Sequence, residues 1–136
     1  MNFPFQVHIP KRWSDFDEFG MVNNAKFMTY YEEARVKLFE QFLDWNWAEV
    51  GIVVANANLD FKMPIRHKDN PTIYMRCTKI GEKSFTLHCV MAEGETVFSM
   101  ASFVMVCYHI QEQRPMPIPA HIKQKLADSL FQVDEV

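Results

Sequence analysis

The stretch "SDFDEFGMVNNAKFMTYYEEARVKLFEQFLDW" (residues 14–45) decides how this chain folds. Its second half has helical periodicity. Phe27, Tyr31, Ala34, Leu38 and Phe42 recur at helical spacing, while Lys26, Thr29, Glu33, Lys37 and Glu40 supply an opposite, polar face. Met28, Tyr30 and Phe39 widen the apolar stripe, which predicts a helix covered on several sides. Its first half crowds Asp15, Asp17 and Glu18 ahead of Gly20 and two asparagines. Asn23 or Asn24 is placed to cap the first turn through its side-chain oxygen.

Downstream the period changes from helical to two. In "IVVANANLDFKM" (residues 52–63), Val53, Ala55, Ala57, Leu59, Phe61 and Met63 fall on one face, as in a strand, and Pro64 stops it. Three more strand-like runs follow, over 72–80, 84–92 and 96–108, joined by "GEK" and "EGE" links typical of hairpins. The unbroken apolar run "VFSMASFVMVCY" predicts a strand covered on both faces. Upstream, residues 5–13 read as a short strand interrupted by Pro10, which suits a sheet edge. "RPMPIPA" breaks the pattern and "AHIKQKLADSL" predicts a short closing helix. A sheet of antiparallel hairpins wrapped around one long helix satisfies all of this, so the fold class is α+β, with residues 1–136 as a single domain.

Composition narrows the function classes. A net charge of −3 and a pI near 5.9 disfavour nucleic acid as a partner. Twelve Phe and nine Met argue against disorder. The cysteines, Cys77, Cys89 and Cys107, are isolated in apolar runs, as expected of buried thiols in a reducing, cytoplasmic setting. The five histidines form no H-x-x-H pattern, and there is no C-x-x-C, so no metal site is expected. Neither a signal peptide nor a membrane span is expected from the sequence. His88 and Cys89 are adjacent but face opposite sides of a strand, so they form no catalytic pair.

Acids before a helix have two physical readings. The partial positive charge of the helix N-terminus stabilises anions, worth roughly 0.3–1 kcal/mol at exposed sites. Alternatively, the unpaired N–H groups there polarise a carbonyl while a carboxylate attacks it or activates water. The residue pattern alone leaves both open. Gly20 serves either, by allowing positive φ in the turn.

"RWSDFDEFGMVNNAKFMTYYEEAR" resembles the signature of the 4-hydroxybenzoyl-CoA thioesterase family of the hotdog superfamily, through Arg12, Asp15, Asp17, Gly20, Val22, Asn23, Asn24, Glu32, Ala34 and Arg35. The resemblance spans about residues 5–108. It implies the hotdog fold, a long central helix wrapped by an antiparallel sheet, and hydrolysis of an acyl-CoA to a carboxylic acid and free coenzyme A. Asp17 matches the catalytic carboxylate, as nucleophile or general base, with Asp15 assigned to loop hydrogen bonding. Backbone N–H groups around Asn23 and Asn24 would polarise the thioester carbonyl, and Gly20, Met21 and Val22 would border the substrate pocket. Met21 stands where relatives often carry histidine. It is suited either to lining an acyl pocket or to packing on the core.

In "KIGEKSF", Lys83 and Ser84 match residues that hold coenzyme A phosphates in relatives; Arg66 and Lys68 are weaker candidates. No cofactor is implied, coenzyme A being part of the substrate. The resemblance also implies a homodimer, or a homotetramer of dimers, with sites between subunits. The competing readings are a non-catalytic acyl-CoA-binding hotdog module, an acyl-carrier-protein thioesterase, and a hydratase or dehydratase. The last usually needs a histidine beside the acid, and this loop has none.

Overall fold

The helix expected after the acidic loop runs from Asn24 to Gln41 (α1) in the computed structural model, which describes residues 1–133. Asn23 is its cap: the side-chain oxygen accepts from Ala25 N–H at 2.9 Å. At the other end Leu43 N–H closes back on the Leu38 carbonyl, and Asp44 takes φ 52°, which ends the helix. Phe27, Tyr30, Tyr31, Ala34, Leu38 and Phe39 are buried, as the wide stripe requires, and so is Arg35. Met28 is a departure: it is exposed on the helix flank.

The strands are β1 (Phe5–His8), β2 (Gly51–Phe61), β3 (Thr72–Ile80), β4 (Ser84–Glu93), β5 (Thr96–His109) and a two-residue β6 (Arg114–Pro115). They form one sheet in the order β1-β3-β4-β5-β2, every pairing antiparallel, with β6 extending the β5 side. β1 ends before Pro10 and is an edge strand, as the proline predicts. Register shifts that leave an extra residue in β2, β3 and β5 bend the sheet, the usual effect of β-bulges, and the sheet curls around α1. Its inner face buries Ile73, Met75 and Cys77 of β3, Phe85, Leu87 and Cys89 of β4, and Ala101, Phe103 and Met105 of β5 against the helix. Tyr31 reaches through this core to donate to Ser99 Oγ at 2.9 Å.

Two strand readings are corrected. In β2 the register shifts between Val54 and Asn56, so the inner face holds Ile52 and Val54 before the bulge and Ala57, Leu59 and Phe61 after it. Val53, expected to lie on the same face as Ala57, is thereby turned outward. β5 is buried on one face and only half-buried on the other, at Met100, Ser102, Val104 and Val106. The closing helix α2 (Ala120–Lys125) continues as a π-helical turn, Leu126–Leu130, and Ile122, Leu126 and Leu130 plug one end of the core. The three cysteines are free and buried. No helix among the described residues is long and apolar enough to cross a membrane.

Candidate active site

The acidic loop is built by hydrogen bonds that separate its carboxylates. Asp15 is 1% exposed. Its Oδ2 accepts from the Tyr30 hydroxyl at 2.6 Å and from Arg12 N–H at 2.9 Å, while its carbonyl accepts from Asn23 N–H. One buried residue, through its side chain and its backbone carbonyl, therefore ties both arms of the loop to the second turn of α1. Burial alone would raise the Asp15 carboxyl, but the Tyr30 and Arg12 hydrogen bonds and the nearby Arg12 and Lys26 charges bring it below its ordinary value. The Tyr30 phenol moves up, through burial and then through its bond to Asp15. Arg12 also pairs with Glu33, a second strut from the loop to α1.

Asp17 is placed differently. A turn from Asp17 to Gly20 is closed by Gly20 N–H on the Asp17 carbonyl at 3.1 Å, with Gly20 at φ 75°, where a side chain is strained. Asp17 Oδ1 accepts from Phe19 N–H at 2.9 Å and Met21 N–H at 3.1 Å. Its Oδ2 has no hydrogen-bond partner among the described residues and is available to a substrate or a water molecule. Asp17, Met21, Val22, Asn23, Asn24 and Pro64 enclose a cleft of about 290 Å³. Its floor is fixed by Val22 N–H on the Ile65 carbonyl at 2.8 Å and by a bridge from Met21 to Arg66.

The two asparagines divide their roles. Asn23 N–H is engaged by the Asp15 carbonyl and its side chain caps Ala25, so of the N–H groups expected around Asn23 and Asn24 that of Asn23 already has a partner. Lys26 N–H is also satisfied, by the Asn23 carbonyl. That leaves Asn24 N–H as the first-turn donor that borders the cleft without a partner among the described residues. An acceptor oxygen placed there meets both this donor and the positive end of α1.

Gly20, Met21, Val22, Asn23 and Asn24 are thus gathered around Asp17. Lys83 and Ser84 are not. They sit in the β3–β4 hairpin at the far end of the sheet, where Lys83 is exposed and its carbonyl accepts from Cys107 N–H. Ser84 lies opposite Val106, whereas the Asp17 end of the sheet lies near Ser99, opposite Phe61. Those positions on β5 are roughly 23 Å apart at ~3.3 Å per residue. No three His, Cys, Asp or Glu side chains among the described residues are grouped so as to hold a metal ion.

The chain that builds this loop at a helix N-terminus, inside a sheet wrapped around that helix, matches the model of the thioesterase-like superfamily over residues 11–126. The chain belongs to that superfamily. Among thioesterase-like relatives it is 28% identical over 127 residues to the long-chain acyl-CoA thioesterase FadM of Escherichia coli K12, covering 89% of this chain and 96% of that one. It superposes at TM-score 0.80 and 29% identity on a thioesterase of Thermus thermophilus crystallised with coenzyme A and zinc, covering 91% and 92% of the chains. A protein of Pseudomonas aeruginosa PAO1 shares the fold at TM-score 0.87 and 21% identity, over 97% and 95% of the chains. The thioesterase-like fold is therefore common to proteins that share only a fifth to a third of their residues with this one.

The motif located the loop but missed two features. The buried Asp15–Tyr30 bond joins residues that look like an ordinary acid and an ordinary core aromatic, and only the capping geometry brings them together. Pro64, read only as a strand stop, is a wall of the cleft.

Proposed function

We propose that this protein hydrolyses acyl-CoA thioesters, with Asp17 as the reacting carboxylate. The observation that carries this reading is the asymmetric anchoring of Asp17: two backbone N–H groups hold Oδ1, Oδ2 is left without a partner among the described residues, and Asn24 lines the same cleft. The thioester carbonyl oxygen accepts from Asn24 N–H, which stabilises negative charge as the carbonyl carbon becomes tetrahedral. Oδ2 then either takes a proton from an attacking water or adds to the carbon itself, giving an acyl-enzyme anhydride that water opens. On either route the C–S bond breaks, the thiolate of coenzyme A takes up a proton, and the acyl group leaves as a carboxylate. The match to FadM and to the coenzyme A complex from Thermus supports coenzyme A as the thiol carrier. No metal or redox cofactor enters this scheme, and a cytoplasmic setting suits it.

The working unit is a homodimer formed along β2, on its own or as half of a tetramer. β2 is an eleven-residue edge strand, and a long open edge favours pairing with a second copy. A two-fold axis across β2 reverses the partner. The Lys83–Ser84 end of one subunit then lies beside the Asp17 end of the other, giving the phosphates a cation and a hydroxyl that the protomer alone holds a sheet length away.

The test is steady-state hydrolysis of aromatic, short, medium and long acyl-CoAs by wild type and Asp17→Asn. Turnover should fall at least ~10²-fold in the variant, the usual scale for a lost acid–base group. Equal turnover would sink the assignment.

A further inference from the structure

The one buried side-chain polar atom that lacks a hydrogen-bond partner among the described residues is Nη1 of Arg35. Arg35 is 5% exposed. Its guanidinium lies over the Phe103 ring at 4.4 Å, which supplies attraction but no hydrogen-bond acceptor for the N–H groups. Leaving a buried charged donor unpaired is costly, so such a group in a native fold calls for an acceptor. Arg35 forms part of the wall of a cavity of about 220 Å³ whose lining is otherwise apolar, Val36, Phe39, Trp47, Ile52 and Val54 among it, apart from Glu32. An apolar cavity with one guanidinium and one carboxylate is suited to an apolar chain that carries a single polar group.

Its position relative to Asp17 says which chain. Asn24, Met28, Glu32 and Val36 are spaced four residues apart on α1 and form one ridge along the helix surface. Asn24 borders the Asp17 cleft and Val36 borders the Arg35 cavity, so the ridge joins the two. Met28 and Val36 on this ridge, and Phe61 and Val54 on the inner face of β2, are exposed apolar side chains. Arg35 is eleven positions beyond Asn24, about 16 Å at ~1.5 Å per residue. Extended backbone covers roughly 3.5 Å in three bonds, so this distance corresponds to roughly fourteen bonds of an extended acyl chain.

We infer that the Arg35 cavity receives the distal end of a medium-length acyl chain bearing a hydroxyl group, which accepts from the Arg35 guanidinium and donates to the Glu32 carboxylate. A plain hydrocarbon end leaves Nη1 without an acceptor. A terminal carboxylate meets the like charge of Glu32. An alcohol is both donor and acceptor and satisfies the two groups together. The inference rests on the acyl-CoA reading above and adds the class of acyl group.

Two measurements test it separately from that reading. The first compares kcat/KM for ω-hydroxydodecanoyl-CoA and dodecanoyl-CoA on wild type, Arg35→Met and Glu32→Gln. The second compares binding of free ω-hydroxydodecanoate and dodecanoate by calorimetry, which requires no catalysis. Wild type should favour the hydroxylated chain by about tenfold or more in both, because the unsubstituted chain leaves buried polar groups unpaired. Arg35→Met should abolish the preference, and Glu32→Gln should reduce it severalfold. If Arg35→Met does not fold, the exposed Glu32→Gln decides the matter. Failure to hydrolyse any acyl-CoA sinks the thioesterase reading alone, since the binding preference still judges the cavity. Equal binding of the two acids by wild type overturns the inference. So does a preference unchanged in the variants, including the case where Arg35→Met alters only the oligomeric state, which would assign Arg35 to a subunit contact.

Discussion

Asp15 and Asp17 stand two residues apart in the same loop and have opposite fates. Asp15 is buried, with hydrogen bonds to the Tyr30 hydroxyl and Arg12 N–H on one oxygen, whereas Asp17 keeps an oxygen open to the cleft. Because the folded protein holds the Asp15 carboxyl below its ordinary value, its contribution to stability is fully present above the unfolded pKa near ~3.9 and is lost as pH falls through the folded value. Thermal melts of wild type and Tyr30→Phe between neutral and strongly acidic pH should show this. At neutral pH the variant should be less stable by about 1–3 kcal/mol, the cost of stripping a partner from a buried carboxylate. The difference should shrink as Asp15 protonates; a constant difference would show that the bond does not set the Asp15 carboxyl. That the loop mattered was legible in its motif. Which acid is structural was legible only through the resemblance, because no sequence spacing reports that Tyr30, fifteen residues on, points its hydroxyl at Asp15.

At the scale of elements, α1 and its cap follow from local rules and were readable. The apolar spacing sets the buried face, and Asn23 supplies an oxygen where the first turn lacks acceptors. Asn23→Ala should cost roughly 0.5–2 kcal/mol of stability, measured by denaturant unfolding. It should lower kcat by less than Asp17→Asn does, because the substitution removes the side-chain cap of α1 and leaves the backbone N–H groups of the cleft in place. A loss of activity as large as that of Asp17→Asn would give the Asn23 side chain a part in the reaction beyond capping α1. β2 shows where local rules stop. Alternation placed Val53 with Ala57, but the bulge near Ala55 shifts the phase, so the two residues face opposite sides. Bulges answer the need of a sheet to bend around a helix, and that need is invisible in an eleven-residue window.

At the scale of the molecule, the acidic loop and the Lys83–Ser84 hairpin occupy opposite ends of one sheet, and the dimer proposed along the open β2 edge would bring them together. Mixing subunits tests this arrangement. Asp17→Asn and Lys83→Ala homodimers should each be weak on acyl-CoA substrates, Lys83→Ala through a raised KM. After unfolding and refolding together, hybrid dimers contain one site with both native residues, so activity should recover toward about a quarter of wild type, the share expected for random pairing into two-fold dimers. Absence of recovery, with hybrid dimers demonstrated by mass spectrometry, would place Asp17 and Lys83 in the same subunit's site.

The sequence by itself determined the α+β class, the order of elements, the cap of α1 and the loop in which Asp17 lies. Each of these follows from local periodicity, from turn chemistry or from a contiguous motif. Only the tertiary structure decided that Asp15 is buried on Tyr30, that Asn23 N–H is engaged while Asn24 N–H is free, that Lys83 is a sheet length from Asp17, and that Arg35 lies buried with an unpartnered nitrogen. The physical reason is the same throughout. These properties depend on which polar groups find partners when distant segments pack, and a hydrogen bond across a core is set by the closure of the sheet around the helix, not by neighbours in the chain.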